Sequence, residues 1–393
     1  MAERARATPM QPLALYVHWP FCLAKCPYCD FNSHVRARTD IAAWQAALLA
    51  DMRHEARLTP GRPLSSIFFG GGTPSLMPPA LVEALLAEAE RLWGFAPGIE
   101  ITLEANPSSV EAANFAALSS AGINRVSLGL QALDDNTLKF LGRLHDVSES
   151  LAALDLAQTH FGRVSFDLIY ARPGQTPAQW EAELKRALGF GTGHLSLYQL
   201  TIEPGTRFAT LVREGKLAPL DDDEAADLFA LTRELTSAAS LPAYETSNHA
   251  RPGEESRHNL TYWRYQDYIG IGPGAHGRRL GAATVRHKKP ENFLRAVSEH
   301  GQGIVEERQL TPSEQAIEAV LMGLRLAEGI SPPALAARFG FAEDEMIDRR
   351  NRESFARMGY LNDTETCLKV TEQGAPVLEA LLADLVTDTI IAA

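Results

Sequence analysis

Across 393 residues the chain has only four cysteines, no long apolar run and a deficit of positive charge, with 37 Lys and Arg against 49 Asp and Glu. Each scarcity excludes something. Four cysteines are too few for a disulfide framework, and three of them lie together, so they read as metal binding or catalysis in a reducing compartment. No apolar segment is long enough to span a bilayer. The first residues, MAERARATPMQPLAL, lack the apolar core and cleavage site of a secretory signal, so the expectation is a cytoplasmic protein. A net charge of -12 argues against general nucleic-acid or anionic-membrane binding. What remains, 45% hydrophobic and 22% charged residues, is ordinary for a globular chain of two or three domains.

Short β-rich runs alternate with amphipathic helical stretches. The runs are LALYVHW (13–19), SSIFFGG (65–71), EITLEAN (100–106), RVSLGL (125–130), RVSFDLIY (163–170) and HLSLYQL (194–200). IAAWQAALLADMRHEA, PALVEALLAEAERLW and SESLAALDLAQTH between them repeat apolar residues at helical spacing. Six βα units imply a parallel sheet with right-handed crossovers, and six rather than eight imply an open, partial (β/α)6 barrel. Ligands of such sheets sit at the carboxyl ends of the strands. The chemically distinctive residues fall there: the cysteine cluster after the first strand, Gly70-Gly71-Gly72-Thr73-Pro74 after the second, Glu104 in EANP, Gln131 after the fourth and Asp167 in the fifth. Singly, each is an ordinary turn residue or solvated carboxylate; their sharing one rim is harder to dismiss.

The division expected is a tail (1–12), a partial barrel (13–205), a less regular extension (206–305) and a small, mostly helical, winged-helix-like domain (306–393). In the extension, Gly272-Pro273-Gly274-Ala275-His276-Gly277 fits a dinucleotide fingerprint in form only, because no βαβ unit surrounds it. Winged helices often bind DNA, but residues 310–393 carry seven Lys and Arg against fourteen Asp and Glu, the wrong sign for phosphate. That domain reads as a packing or partner-docking module. Cys367, isolated, reads as a packed thiol.

HWPFCLAKCPYCDFNSH (18–34) places Cys22, Cys26 and Cys29 within eight positions. Two sites fit this spacing. One is zinc, with His18 or His34 as fourth ligand. The other is a [4Fe–4S] cluster with one iron left open. Cys-x3-Cys-x2-Cys with Tyr28 before the last cysteine, together with GGGTP and Glu104, resembles the radical S-adenosylmethionine (SAM) superfamily. The resemblance implies that SAM's amino and carboxylate groups complete the open iron, and that one-electron reduction of the sulfonium breaks a C–S bond. It places Tyr16, Tyr28, Gly71, Gly72, Thr73 and Glu104 around this SAM.

YVHWPFC, FFGGGTPS, EANP, RVSLGLQ, DLIYARPGQT and YQLTIEPGT extend the resemblance to the branch of the oxygen-independent coproporphyrinogen III dehydrogenase. This implies a second SAM near Gln131, Arg143 and Asp167. Three features depart from that enzyme: its motif continues Cys-x-Cys where this chain has Phe31, its N-terminal extension is longer, and His258-Asn259-Leu260-Thr261-Tyr262-Trp263 matches the HNxxYW motif of the sister group of haem chaperones. The expectation is therefore a haem-binding carrier with a cluster and SAM, which hands haem to an acceptor protein and touches membrane-bound haemoproteins only transiently. His258, Tyr262 and Trp263 are its candidate haem contacts, against the plainer reading of a turn-capping histidine with core aromatics. The runner-up is the radical oxidative decarboxylase itself. A radical SAM enzyme of another substrate and a zinc-stabilised interaction protein follow.

Overall fold

The computed structural model describes residues 13–36 and 38–387; the expected tail at 1–12 lies outside the described residues. One mixed sheet of eleven strands dominates. In chain order these are β1 (Leu13–Trp19), β2 (Leu64–Gly71), β3 (Phe95–Ala105), β4 (Arg125–Gln131), β5 (Arg163–Tyr170), β6 (His194–Gln199), β7 (Asn248–Ala250), β8 (Tyr268–Ile271), β9 (His276–Arg279), β10 (Ala282–Arg286) and β11 (Ile304–Gln309). β1 to β6 lie side by side and parallel, which is the partial barrel read from the sequence. β1 and β4 are almost wholly buried, as parallel strands covered on both faces must be.

Helices return the chain between strands. Ile41–Leu58 (α1) starts at Asp40, whose carboxylate accepts from the Ala43 N–H at 3.1 Å, and buries Trp44, Leu48, Met52 and Ala56 as one stripe. Pro79–Trp93 (α2) follows β2 and buries Leu81, Val82, Leu85, Leu86 and Ala89.

The sheet is wider than expected. β7 closes one edge antiparallel to β6, and β8 adds parallel to β1 on the other, followed by antiparallel β9, β10 and β11. Four of the five come from the stretch expected to be less regular, and β11 straddles its end at 305. The β9–β10 hairpin turns at Leu280-Gly281 with both φ positive, 53° and 74°. Such turns favour Asn-Gly or Asp-Gly, so Leu-Gly gave no signal. The glycine-rich segment 272–277 forms the turn into β9, and no helix opens there.

A buried ion cluster joins α1 to the added strands. Arg286, wholly buried, reaches Asp51 at 3.3 Å and Glu55 at 2.5 Å. Arg279 pairs with Glu55 and, at 3.0 Å, with Glu307. Asp51 also accepts the backbone N–H groups of Gly272 and Gly303, at 3.2 and 3.0 Å. Residues 206–305 share the barrel's hydrophobic core, which runs from Leu13 to Val297. A second core, including Val320, Leu324, Leu368 and Leu385, belongs to the C-terminal helices and the hairpin Leu361–Asp363/Leu368–Val370.

Removing one partner of a buried ion cluster leaves an uncompensated charge, at a cost of about 3–5 kcal/mol. Glu55→Ala is therefore expected to lower unfolding free energy by that order in a urea titration, whereas truncating the exposed Glu353 of the Arg349 pair should change little.

Candidate functional site

The carboxyl ends of β1 to β5 frame a cavity of about 150 Å³, lined by Cys22, Cys26, Cys29, Tyr28, Gly71, Gly72, Thr73, Glu104, Gln131, Arg143 and Asp167. It adjoins a larger chamber of about 480 Å³ whose walls include Phe31, Ile169, Tyr198, Leu200 and Phe229. Cys29, Tyr28, Phe31, Glu104, Gln131 and Asp167 line both.

The three thiols sit on a loop leaving β1. Among the described residues, no three His, Cys, Asp or Glu side chains converge as around a single metal ion. Both histidines that could have completed a zinc site are engaged elsewhere. His18 is held by the Tyr16 hydroxyl at Nδ1 (3.0 Å) and by the Asn32 carbonyl at Nε2 (2.9 Å), and burial lowers its pKa to about 4. His34 Nε2 lies 3.3 Å from Asn32 Oδ1. Burial pushes the Cys22 and Cys29 thiols up, opposed at Cys22 by the Thr73 hydroxyl, which donates to its sulfur at 3.4 Å. Metal loading would therefore release protons.

The glycine turn packs against the cysteine loop. The Gly72 N–H bonds the Trp19 carbonyl at 2.7 Å and the Thr73 N–H bonds the Phe21 carbonyl at 2.9 Å. A Cβ on Gly71, at φ +114°, would strike the His18 ring, and one on Gly72 would strike the Pro20–Phe21 backbone. The space a side chain would take at these glycines is filled by the protein's own loop.

Glu104 accepts the Gly71 N–H at 3.1 Å and is otherwise buried, which raises its pKa to about 8, with Asp167 adding repulsion. Asp167 is raised to about 6, chiefly by burial, despite hydroxyls from Ser196 and Ser127, the latter at 3.2 Å. Arg143 forms no ion pair with Asp167. It donates to Asn106 Oδ1, to the Gly129 carbonyl (3.0 Å), to Cys26 Sγ (3.3 Å) and to the Tyr28 hydroxyl (3.4 Å), and its Nε is buried without a partner. Asn106 was missed from sequence, although it stands in EANP. It holds Arg143 and also donates to Thr73 Oγ1 at 3.2 Å.

Two expected groups stand away from both chambers. Tyr16 lines neither chamber; it packs beneath Gly70 and is spent on His18. The HNxxYW residues are also elsewhere. His258 lies in the helix Arg257–Trp263, 5% exposed, sharing a hydrogen bond with Ser66 Oγ at 3.2 Å and stacked on Phe68. Ser66 is five residues before Gly71, about 16 Å along a strand at roughly 3.3 Å per residue. The His258 N–H bonds Glu100, which pairs with Arg163 at 2.6 Å, and Arg163 and Arg125 are the first residues of their strands. His258 therefore belongs to the barrel floor. The Tyr262 and Trp263 rings meet tilted at 55°, and the neighbouring Arg264 ties this helix to Glu328 in a turn of the C-terminal domain. None of the three lines either chamber.

Comparison with known proteins gives the family. Residues 16–187 match the Radical SAM superfamily and residues 310–377 the HemN C-terminal domain. The Heme chaperone HemW of Escherichia coli is 37% identical over 95% of this chain and 98% of its own length. The chain belongs to the HemW family of the radical SAM superfamily. Radical S-adenosyl methionine domain-containing protein 1, mitochondrial, of Bos taurus is 36% identical over 96% of this chain and 88% of its own. The coproporphyrinogen III oxidase HemN of Escherichia coli shares the fold, with a TM-score of 0.81 at 23% identity over 96% of this chain and 90% of that one. Membership of the superfamily implies a [4Fe–4S] cluster and SAM. This chain keeps its strand-end cavity and its HNxxYW helix at opposite ends of the same strands.

Two outcomes follow. Glu104 has a folded-state pKa above its ordinary 4.5, so its contribution favours folding below that value and is lost as pH rises towards 8. Glu104→Gln should therefore melt above wild type at pH 9 and level with it at pH 4, in the metal-free protein. His258→Ala should lower unfolding free energy in a urea titration by about 2–3 kcal/mol through the lost hydrogen bond and cavity.

Proposed function

We propose that this protein is a haem chaperone that binds haem and passes it to an acceptor protein, with a [4Fe–4S] cluster on Cys22, Cys26 and Cys29 and SAM beside it. The observation that carries the haem role is kinship: relatives named Heme chaperone HemW from Escherichia coli, Haemophilus influenzae and Bacillus subtilis are 31–37% identical over most of both chains. Phe31 separates this reading from the dehydrogenase. It stands 61% exposed at the wall between the chambers, where the resemblance to that enzyme calls for a further cysteine.

The residues fit the implied cofactors. Three thiols facing one cavity without converging, and no free histidine beside them, suit a multinuclear cluster with one iron left for a small molecule. When bound and reduced, the cluster would supply one electron to a sulfonium. Glu104, oriented by the Gly71 N–H, would take a ligand ammonium group and give up its proton as it does so. Tyr28, Gly72 and Thr73 would close the sides of that site, and the unpartnered Arg143 Nε offers a donor to a ligand carboxylate. The larger chamber is lined by Asp30, Glu104, Asp167 and Glu203 and by no Lys or Arg. Carboxyl groups with no basic partner, those of Asp30 and Glu203 above all because burial keeps Glu104 protonated near neutral pH, suit a second sulfonium near Gln131 and Asp167 and not the carboxylates of a porphyrin. Haem contacts therefore belong outside this chamber's depth.

We place the protein in the cytoplasm, with no nucleic-acid partner and only transient contact with membrane-bound haemoproteins. Among the described residues no helix is long and apolar enough to cross a membrane. The runner-up, oxidative decarboxylation of coproporphyrinogen III, is favoured by the intact Glu104, Gln131, Arg143 and Asp167 set.

One anaerobic experiment separates the two. Cluster-loaded protein with reductant, SAM and coproporphyrinogen III is expected to form no protoporphyrinogen, and the same preparation is expected to bind haem and deliver it to an apo-haemoprotein. Multiple turnovers of coproporphyrinogen would overturn the chaperone reading.

A further inference from the structure

Apart from the Arg143 and Thr73 contacts to its thiols, the cysteine loop is held at several places, three of them spaced along its length. The Thr73 N–H holds the Phe21 carbonyl and the Phe208 N–H holds the Pro27 carbonyl, each at 2.9 Å. The third place is Asn32, a side chain the cluster chemistry does not use. Its amide nitrogen donates to the Pro273 and Lys288 carbonyls, both at 2.9 Å. Two carbonyl acceptors require an NH2 group at that point, which an aspartate cannot supply. Its own carbonyl accepts from His18 Nε2 at 2.9 Å.

The partner is the glycine turn whose sequence mimics a nucleotide fingerprint. Gly274, at φ +80°, lies so close that a Cβ there would stand 2.4 Å from Asn32 Nδ2. Gly272, at φ +92°, would put a Cβ 2.4 Å from the His18 carbonyl. Asp51 holds the Gly272 N–H, so the turn is itself tied to the buried ion cluster.

We propose that Asn32 is a positioning residue: through the Gly272-Pro273-Gly274 turn it fixes the last part of the cysteine loop, and with it the Cys29 thiol and the Phe31 ring, at the cavity mouth. The functional consequence rests on the cluster reading of the same cysteines; the mechanical one does not. Asn32→Asp keeps the shape and removes both donated hydrogen bonds. Gly274→Ala attacks the same contact from the other side.

The test uses the metal-free full chain first. Iodoacetamide labelling of Cys29 is expected to quicken about tenfold in Asn32→Asp, with the remote Cys367 as an unchanged control. Gly274→Ala should do the same, and the double variant should label no faster than either single one, because both remove one interaction. Asn32→Ala serves if the aspartate variant does not fold. Reconstituted Asn32→Asp should then show an altered electron paramagnetic resonance spectrum of the reduced cluster and faster iron loss to a chelator. Unchanged labelling of Cys29, or additive effects in the double variant, would overturn the proposal. A wild type that takes up no cluster would sink the cofactor reading, while the labelling result would still decide the role of Asn32.

Discussion

Much of this molecule depends on how Asp51 and Glu55, two carboxylates on the buried face of α1, meet Arg279 and Arg286 from the added strands. Four buried charges are costly to desolvate, and removing any one leaves its partners unpaired. The pairing fixes the register of the edge strands against α1. Asp51 also accepts the N–H groups of Gly303 and of Gly272, whose turn seats Asn32 and the His18 carbonyl. The mouth of the cavity is thus braced from outside the barrel that forms it.

That bracing matters because the cysteine loop has little regular structure of its own. Only a two-residue strand pair, Phe21–Cys22 with His34–Val35, lies within it. A loop carrying three metal-ligating thiols must still present them reproducibly, and it borrows rigidity from elements that have it. The glycines of GGGTP serve the same end. Their missing side chains let the second strand's turn lie directly on the loop.

The two ends of the strands do different work. At the carboxyl end, Glu104 and Asp167 are buried with few partners, and their raised pKa values mark a site that stores unsatisfied polarity. At the amino end, Glu100, Arg163, Ser66 and His258 satisfy one another. Polar groups that are all paired build a floor; polar groups left wanting await a ligand.

The sequence by itself determined the six parallel strands, because an apolar run with β-branched residues has one stable fate when helices cover both faces. It also placed Cys22, Cys26, Cys29, Gly71, Gly72, Thr73, Glu104, Gln131 and Asp167 on one rim, because a parallel strand always carries its C-terminal residues to the same end. Of the five added strands, β7 to β10 escaped notice because they run only three to five residues, and the β9–β10 hairpin turns through Leu280-Gly281, which carries no familiar signature. Only the tertiary structure could set Tyr16 below the rim, move His258 to the floor and give Asn32 its carbonyl partners some 240 residues away. Periodicity reports which face of a strand a residue occupies, but the contacts that finish a site join elements distant in sequence, and those are settled by packing alone.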